Sequence, residues 1–383
     1  MSSDGSHGAG CGCTLSRRTI LGGAAAAASL GAASSALAQS SAGPTQVGRR
    51  RGPRVDAHVH LSPPAWFKAN IFEQARRTRR RRSTPKPLRS GLPPRDYEDV
   101  ALGSGPRPYP PTLEGQTRRL LDEMDAADID TAVLFAMDLD YTGEKLHVQH
   151  WEQLVQLARV RDAHPGRFVL FAAIDPRRGK AGHELLRRAA TELKVSGMGE
   201  FAPHFFGFAP NDRERCYPLY ELCSELDLPI APNCSIISSH NSEFCNPNYF
   251  ESVANDFPQL NISLTSAGFP HWTEDAIALA QATPNVYLDI GDWQLPVVSD
   301  PVDHVLRYVR RALDTEARRK ILFGSDFPVF NRRVSMKRWA DMFTVDAKAR
   351  GIRFTDEELH LFFSDNVQEF LDMDLPMPVR AAR

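Results

Sequence analysis

Short apolar runs alternate with longer segments of helical spacing along most of the chain. The runs are rich in β-branched and aromatic residues, which is typical of buried strands. Strands that alternate with helices predict a parallel sheet, and eight of them close naturally into a (β/α)₈ barrel. The fold class is therefore predicted to be α/β, as a single TIM barrel. The eight predicted strands are Arg54–His60, Thr131–Ala136, Phe168–Ile174, Gly197–Phe201, Pro229–Asn233, Asn261–Thr265, Val286–Ile290 and Ile321–Ser325.

The segments between the runs carry the apolar stripes of amphipathic helices. The clearest one follows the last strand, where Thr355 and Glu358 have the spacing of a capping box. Leu359, Phe363 and Val367 then recur at helical spacing. We expect this C-terminal helix to pack across the outer ring of the barrel.

One long segment, residues 62–111, fits neither period. It is rich in Pro and Arg and contains seven consecutive residues, 76–82, of which all but Thr78 are arginine. A connection of this length is uncommon unless it is functional or disordered. We interpret it as a lid-like insertion after the first strand. Its arginines form either a solvated face of that lid or a site for an anionic partner.

The first residues have the pattern of a targeting segment. Arg17 and Arg18 precede a run of Ala, Gly and Leu that ends in Ala36-Leu37-Ala38, a sequence of the kind that signal peptidases accept. The paired arginines are typical of a twin-arginine signal peptide over residues 1–38, with a membrane anchor as the alternative. A linker is predicted for residues 39–53 and the barrel for residues 54–375. These features predict a periplasmic or exported protein without stable membrane insertion after cleavage.

Charge and cysteine content narrow the range of partners. The chain has 383 residues, with 46 basic and 47 acidic ones, and this balance gives no reason to expect a nucleic-acid partner. No CxxC pair is present, which argues against a zinc ribbon or a thioredoxin-type site. The cysteines beyond the signal are predicted to be buried thiols, with a disulfide among them as the alternative. They are Cys216, Cys223, Cys234 and Cys245.

The strongest chemical signal is the pair His58 and His60 on the first predicted strand. Residues two apart on a strand point to the same face. At the carboxyl end of a barrel strand that face lies in the mouth of the barrel, where these folds place their active sites. Two imidazoles on one face make half of a zinc-type site, with two half-buried strand histidines as the alternative.

The second signal is Asp326, which follows the apolar run of the eighth strand in the sequence Gly324-Ser325-Asp326-Phe327-Pro328. In a closed barrel the eighth strand lies beside the first, so Asp326 is expected near the two histidines. A carboxylate in that position can ligate a metal and accept a proton from water. The alternative is an ordinary helix N-cap.

With these two motifs, the chain resembles the amidohydrolase superfamily, in particular the amidohydrolase-related branch that includes aminocarboxymuconate-semialdehyde decarboxylase. The resemblance extends from about residue 54 to residue 371. It implies a (β/α)₈ barrel that hydrolyses or decarboxylates small molecules, usually with one divalent metal. Relatives are often dimers, so a homodimer is one expectation.

The resemblance also shows where this chain departs from the family. The family usually has a metal-ligating histidine at the end of strand five, where this chain has Asn233. It usually has a further histidine at the end of strand six, where this chain has Ser266. Glu200, at the end of strand four, is predicted to complete the metal site, since a carboxylate there is costly without a partner. His240 and His271, in the loops beyond, are predicted to be catalytic or else ordinary loop histidines.

These residues together predict a metal-dependent hydrolase for an ester, lactone or amide bond of a small molecule. The predicted ligands are His58, His60, Glu200 and Asp326, the expected ion is Zn²⁺, and Asp326 serves as the base. A carboxylated substrate would suit the arginines of the insertion. The alternatives are a non-oxidative decarboxylase, a metal-independent lactonase and, in a different class, a binding protein without activity.

Overall fold

The computed structural model describes residues 52–66, 110–141, 146–235, 241–294, 301–329, 331 and 334–378. The predicted signal peptide, nearly all of the predicted linker, and most of the lid-like insertion with its arginine cluster lie outside the described residues. His240 lies outside them as well.

Eight parallel strands form one sheet in which each strand pairs with the next along the chain. Backbone hydrogen bonds also join the last strand region to the first: the Ala57 N–H donates to the Phe323 carbonyl, at 2.7 Å, and the Asp326 N–H donates to the His58 carbonyl, at 2.9 Å. The predicted (β/α)₈ barrel is confirmed. The strands are β1 Val55–His60, β2 Thr131–Phe135, β3 Phe168–Ala172, β4 Gly197–Phe201, β5 Ile230–Pro232, β6 Ile262–Leu264, β7 Val286–Asp289 and β8 Ile321–Leu322.

Helices follow the strands and cover the outside of the barrel. One π-helical segment, Met342–Asp346, follows the helix Met336–Asp341, and another, Leu361–Asp365, follows the helix Asp356–His360. The α-helices are α1 Leu113–Ala127, α2 His150–Ala163, α3 Lys180–Glu192, α4 Pro203–Phe206, α5 Tyr217–Glu225, α6 Phe250–Asp256, α7 Thr273–Ala282, α8 Pro301–Leu313, α9 Met336–Asp341, α10 Ala347–Ala349, α11 Asp356–His360 and α12 Asn366–Leu371.

Alternate residues of β2 belong to two separate cores. On β2, Leu134 packs with the apolar residues of the helices, whereas Val133 and Phe135 pack with residues of the neighbouring strands inside the barrel. This alternation is the pattern expected for strands that are buried on both faces. The interior of the barrel is therefore filled by side chains rather than open.

The C-terminal helical segment has two packing partners. The predicted capping box is present: Thr355 Oγ1 accepts the Glu358 N–H at 3.2 Å and Glu358 Oε2 accepts the Thr355 N–H at 2.8 Å. The expected packing on the outer ring holds for the first half, where Phe362 lies 4.9 Å from Phe343. The second half differs, because Phe370 of α12 packs with the interior residues of the barrel and closes its amino-terminal end.

The four described cysteines are all buried and unbonded to one another, so the predicted buried thiols are confirmed and the alternative of a disulfide among them is wrong. Among the described residues, none of the helices has both the length and the apolar character that crossing a bilayer requires.

Candidate metal centre

His58 and His60 lie at the carboxyl end of β1, inside the mouth of the barrel. The register between β1 and β2 shifts between Asp56 and Val59. The Asp56 carboxylate accepts the His58 N–H at 3.0 Å and the Ser325 N–H at 2.9 Å, which ties this irregular stretch to the end of β8. Both imidazoles are buried, and their Nε2 atoms are 3.1 Å apart.

The contacts of Nδ1 in each ring determine that Nε2 is the nitrogen available to a ligand. His58 Nδ1 lies 2.6 Å from Asp289 Oδ2, and His60 Nδ1 lies 3.2 Å from the carbonyl oxygen of Phe135. Both of these oxygens are acceptors, so each Nδ1 carries a hydrogen. Each neutral ring then presents the lone pair of its Nε2. Two lone pairs 3.1 Å apart repel each other unless a proton or a metal cation lies between them.

The two carboxylates that the sequence predicts as ligands, those of Asp326 and Glu200, lie beside the histidines. Asp326 Oδ1 lies 3.5 Å from His58 Nε2 and 3.6 Å from His60 Nε2. Glu200 Oε2, at the end of β4, lies 3.7 Å from His60 Nε2. One ligand atom from each of His58, His60 and Glu200 can be chosen so that all three lie within 4.8 Å of one another. This separation suits a single ion.

The residues at the ends of β5 and β6 contact carboxylates of the cluster. The amide nitrogen of Asn233 donates to Glu200 Oε1 at 2.5 Å. The Thr265 hydroxyl has two acceptors, the same Glu200 oxygen at 3.3 Å and the Pro232 carbonyl oxygen at 3.2 Å. Ser266 instead donates to Asp292 Oδ2 at 2.9 Å.

Two carboxylates at the end of β7 contact the cluster, and sequence reasoning gave neither of them a role. Asp289 orients His58, and Asp292 shares a hydrogen bond with Asp326. Both are buried. The sequence did contain one indication of the role of Asp289. This residue lies at the end of a predicted strand, and in a closed barrel only β8 lies between that strand and β1.

Burial and charge set the protonation of the histidines in opposite directions. Burial disfavours the charged form of both rings. The Asp289 carboxylate outweighs this for His58 and raises its pKa to about 9. Burial and the neighbouring charge of His58 lower the pKa of His60 to about 4. These opposite shifts favour a charged His58 beside a neutral His60.

The carboxylates also respond in opposite directions. Burial, followed by the charge and hydrogen bond of Asp292, raises the pKa of Asp326 well above its usual range. Burial acts in the same direction on Glu200, but the charges of His60 and His58 and the Asn233 hydrogen bond outweigh it and lower the pKa of Glu200. Glu200 is thus held as a carboxylate beside the two imidazoles.

Close packing leaves no spare volume around the His58–Asp289 pair. A Cβ atom added to Gly324 would lie 2.1 Å from Asp289 Oδ1, and one added to Gly291 would lie 2.5 Å from His58 Nδ1. The two glycines therefore make room for the pair. The backbone at Asp292 and Asp326 is left-handed, with φ of 62° and 48°, a conformation that costs about 1–3 kcal/mol at each such residue.

His271, the last predicted site residue that the structure describes, lies apart from the cluster. It is exposed, in the loop before α7, so its imidazole is not part of the buried site. Two tryptophans near the mouth are fixed by hydrogen bonds and buried: Trp66 donates from Nε1 to Gln156, and Trp293 donates to the Ser266 carbonyl.

The amidohydrolase family model matches residues 55–373. The chain belongs to the amidohydrolase family. It is an enzyme of that family, and solved structures of similar fold include decarboxylases and a probable hydrolase. No curated protein matches the sequence.

Several solved structures share the fold of this amidohydrolase at low sequence identity. A 5-carboxyvanillate decarboxylase from Novosphingobium aromaticivorans, with manganese and 3-methoxy-4-hydroxy-5-nitrobenzoic acid, is 14% identical, with a TM-score of 0.56 over 85% of this chain and 99% of that one. An amidohydrolase from Burkholderia multivorans with bound zinc is 15% identical, with a TM-score of 0.56 over 84% and 100%. A probable 2-pyrone-4,6-dicarboxylic acid hydrolase from Acinetobacter baumannii, with citric acid, is 11% identical, with a TM-score of 0.52 over 84% and 100%.

The donor set of this amidohydrolase fits a divalent cation. Five carboxylates, of Asp56, Glu200, Asp289, Asp292 and Asp326, lie in the buried surroundings of two imidazoles. Buried charges of one sign are costly unless an opposite charge offsets them. Imidazole nitrogen and carboxylate oxygen are ligands that zinc and manganese accept. A site that holds His58, His60, Glu200 and Asp326 around one ion is therefore chemically consistent.

Proposed function

We propose that this amidohydrolase is a metal-dependent hydrolase that cleaves an ester, lactone or amide bond of a small molecule. The observation that supports this best is the approach of the two imidazole Nε2 atoms to 3.1 Å, with their Nδ1 hydrogens directed away to Asp289 and Phe135. That arrangement presents two lone pairs to a single point, beside two carboxylates.

In this proposal His58, His60, Glu200 and Asp326 hold one divalent ion, Zn²⁺ or Mn²⁺. The ion supplies Lewis-acid chemistry: it polarises the substrate carbonyl and makes water a nucleophile near neutral pH. Asp289 orients His58 and keeps its Nε2 free for the ion. Asp326 accepts the proton of the attacking water on a carboxyl oxygen and later returns it to the leaving group.

Burial of the cluster assists these steps. His58, His60 and Asp326 are each at most 5% exposed, so electrostatic interactions among them are weakly screened by water. Asp292 shares a hydrogen bond with Asp326, and the Ser266 hydroxyl donates to Asp292 Oδ2 at 2.9 Å, so this pair of carboxyl groups is tied to the end of β6. The site is thus organised before a substrate arrives, which favours catalysis.

A second candidate is non-oxidative decarboxylation of a small aromatic acid by the same residues. It is favoured by the likeness of this chain to a 5-carboxyvanillate decarboxylase that was solved with manganese and a substituted benzoic acid. In that reaction Asp326 would donate its proton to the ring carbon that loses CO₂. Burial and the neighbouring Asp292 raise the pKa of Asp326, which favours the protonated form of this carboxyl group.

Metal content and product analysis test both candidates together. The protein, purified without chelator, is expected to contain one Zn²⁺ or Mn²⁺ per chain by elemental analysis, and the double variant His58→Ala/His60→Ala is expected to lose it. A panel of lactones, esters, amides and aromatic acids is then assayed with and without added ion. Incorporation of ¹⁸O from labelled water indicates hydrolysis, and release of CO₂ indicates decarboxylation.

The control is His271→Ala, since this exposed histidine lies outside the cluster. It is expected to retain the metal. A protein that binds no ion even after incubation with excess Zn²⁺ and Mn²⁺ would overturn the metal-dependent function. Activity of such a protein on a lactone would instead identify a metal-independent lactonase.

A further inference from the structure

Asn233, at the position where the resemblance leads one to expect a metal-ligating histidine, has a fixed amide orientation. Its Oδ1 accepts the Ser235 backbone N–H at 3.1 Å and the Ser235 hydroxyl at 3.2 Å, and the Cys245 thiol lies 3.7 Å away. A backbone N–H only donates, so the atom that faces it must be the amide oxygen. The amide nitrogen must then face the other way.

That nitrogen donates to Glu200 Oε1 at 2.5 Å. Thr265 Oγ1 lies 3.3 Å from the same oxygen and 3.2 Å from the Pro232 carbonyl oxygen, so its one hydrogen is shared between these two acceptors. The other oxygen, Glu200 Oε2, lies 3.7 Å from His60 Nε2, on the side of the imidazoles. The two oxygens of Glu200 therefore have separate surroundings: one is held by donors of β5 and β6, and the other faces the metal cluster.

Both polar atoms of the Asn233 amide are thus engaged within the protein. Asn233 is 4% exposed and Ser235 is 3% exposed, so water competes little for these hydrogen bonds. A carboxylate can bind an ion through one oxygen or through both. Donors fixed on Oε1 favour binding through Oε2 alone.

We propose that Asn233 is a positioning residue, which holds Glu200 as a one-oxygen ligand and does not itself ligate the ion. This inference rests on the proposed metal-dependent function. It accounts for the retention of a metal site without the imidazole that the resemblance leads one to expect at the end of β5. In this chain β4 supplies the ligand, and β5 supplies the group that orients it.

The test compares Asn233→Leu, which has a similar size and no donor, with the unchanged protein. Zinc affinity is measured by competition with a chromophoric chelator, and loss of the orienting bond is expected to weaken it by roughly 10–100-fold. The infrared difference spectrum between the metal-bound and metal-free protein gives an independent reading. The Glu200 bands in that spectrum are identified by their absence in Glu200→Gln.

A one-oxygen carboxylate ligand has a wide separation between its asymmetric and symmetric stretching bands, and a two-oxygen ligand has a narrow one. We expect the wide separation in the unchanged protein and a narrower one in Asn233→Leu, because Oε1 then becomes free to bind the ion. Thr265→Val is the matched control. It removes the longer bond to Oε1 and is expected to weaken zinc binding less than Asn233→Leu does.

Four outcomes decide the matter. Weaker binding together with a narrower separation supports the inference. Equal affinity and equal separation in the variant would overturn it, with the metal-dependent function left intact. Weaker binding with an unchanged separation would assign Asn233 a purely structural role and would also overturn it. A parent protein that binds no metal would remove the proposed function first. Asn233→Ala replaces the leucine variant if the latter does not fold.

Discussion

The two ends of the barrel are built from the same eight strands and yet have opposite chemistry. At the amino-terminal end, Phe370 of α12 packs against Phe171 and Tyr287, with ring centroids 6.1 Å and 5.5 Å apart, inside an apolar cluster. At the mouth, buried carboxylates and imidazoles crowd together, and Asp326 has a left-handed backbone. The amino-terminal end is closed by apolar packing, whereas the mouth contains buried ionisable side chains and strained backbone.

This difference separates stability from function within one fold. Burial of apolar surface at the closed end favours folding. Desolvated charges and a strained backbone at the mouth oppose it, and they persist because the surrounding structure holds them. Substitutions at the closed end should therefore change the free energy of unfolding, whereas substitutions at the mouth should change metal binding.

The largest expected effect is that of Phe370→Ala on stability. Truncation of a buried phenylalanine leaves a cavity and typically costs about 3–5 kcal/mol in the free energy of unfolding. Urea unfolding of the metal-free protein measures this loss. The zinc affinity of the folded variant should equal that of the parent protein, because Phe370 contacts none of the proposed ligands.

The control for that experiment is Phe370→Leu, which retains part of the buried side chain and should lose less stability. The Asn261 amide, which donates to the Phe370 carbonyl at 2.9 Å, is unaffected by either change. A zinc affinity that falls together with stability in both variants would contradict the separation of the two ends.

Asp289→Asn should have the opposite profile, with the main loss in metal binding. Asp289 Oδ2 accepts from His58 Nδ1 at 2.6 Å, and its Oδ1 accepts the Gly291 N–H at 2.6 Å. An amide has one acceptor, so its NH₂ group must face one of these two donors. Zinc affinity should fall by roughly 10–100-fold, as is typical when a group that orients a metal ligand is lost.

Asp138→Asn is the matched control for that prediction. Asp138 is also a buried carboxylate near the mouth, but it pairs with Arg178, at 2.6 Å, rather than with a histidine of the cluster. This variant should lose stability without a comparable loss of zinc affinity. Equal zinc affinities for Asp289→Asn and the parent protein would show that His58 needs no orienting carboxylate.

The contrast between the two ends also explains how far the sequence could be interpreted. Strand periodicity predicted all eight strands, and the cyclic order of a barrel placed Asp326 beside His58 although 267 residues separate them in the chain. Ligands at strand ends follow from topology alone. Their orienting partners do not, because the contact between Asp289 and His58 depends on the register and on the glycines that make room for it.

The packing of α12 was predictable only in part for a related reason. Its apolar stripe indicates that one face is buried, but the stripe does not say which surface covers it. The π-helical segment Leu361–Asp365 precedes α12 and lies between its residues and those of α11. Helical periodicity did not reveal that segment, so the turn of α12 onto the end of the barrel was missed.

The smallest expected effect lies on the outside of the barrel, in a pair that belongs to neither end. Arg310 of α8 donates to both carboxylate oxygens of Glu358, at 2.5 and 2.9 Å, and this pairing lowers the pKa of Glu358 from 4.5 to about 2. A lowered carboxyl pKa stabilises the folded state above pH 4.5, and this stabilisation is lost as the pH falls through about 2.

Glu358→Gln, which can keep the capping hydrogen bond, should lose about 0.3–1 kcal/mol at pH 7 by urea unfolding, and the difference from the parent protein should shrink below pH 4.5. Glu114→Gln, in a more exposed pair with Arg118, should lose less. A difference that grew on acidification would mean that the charge of Glu358 opposes folding.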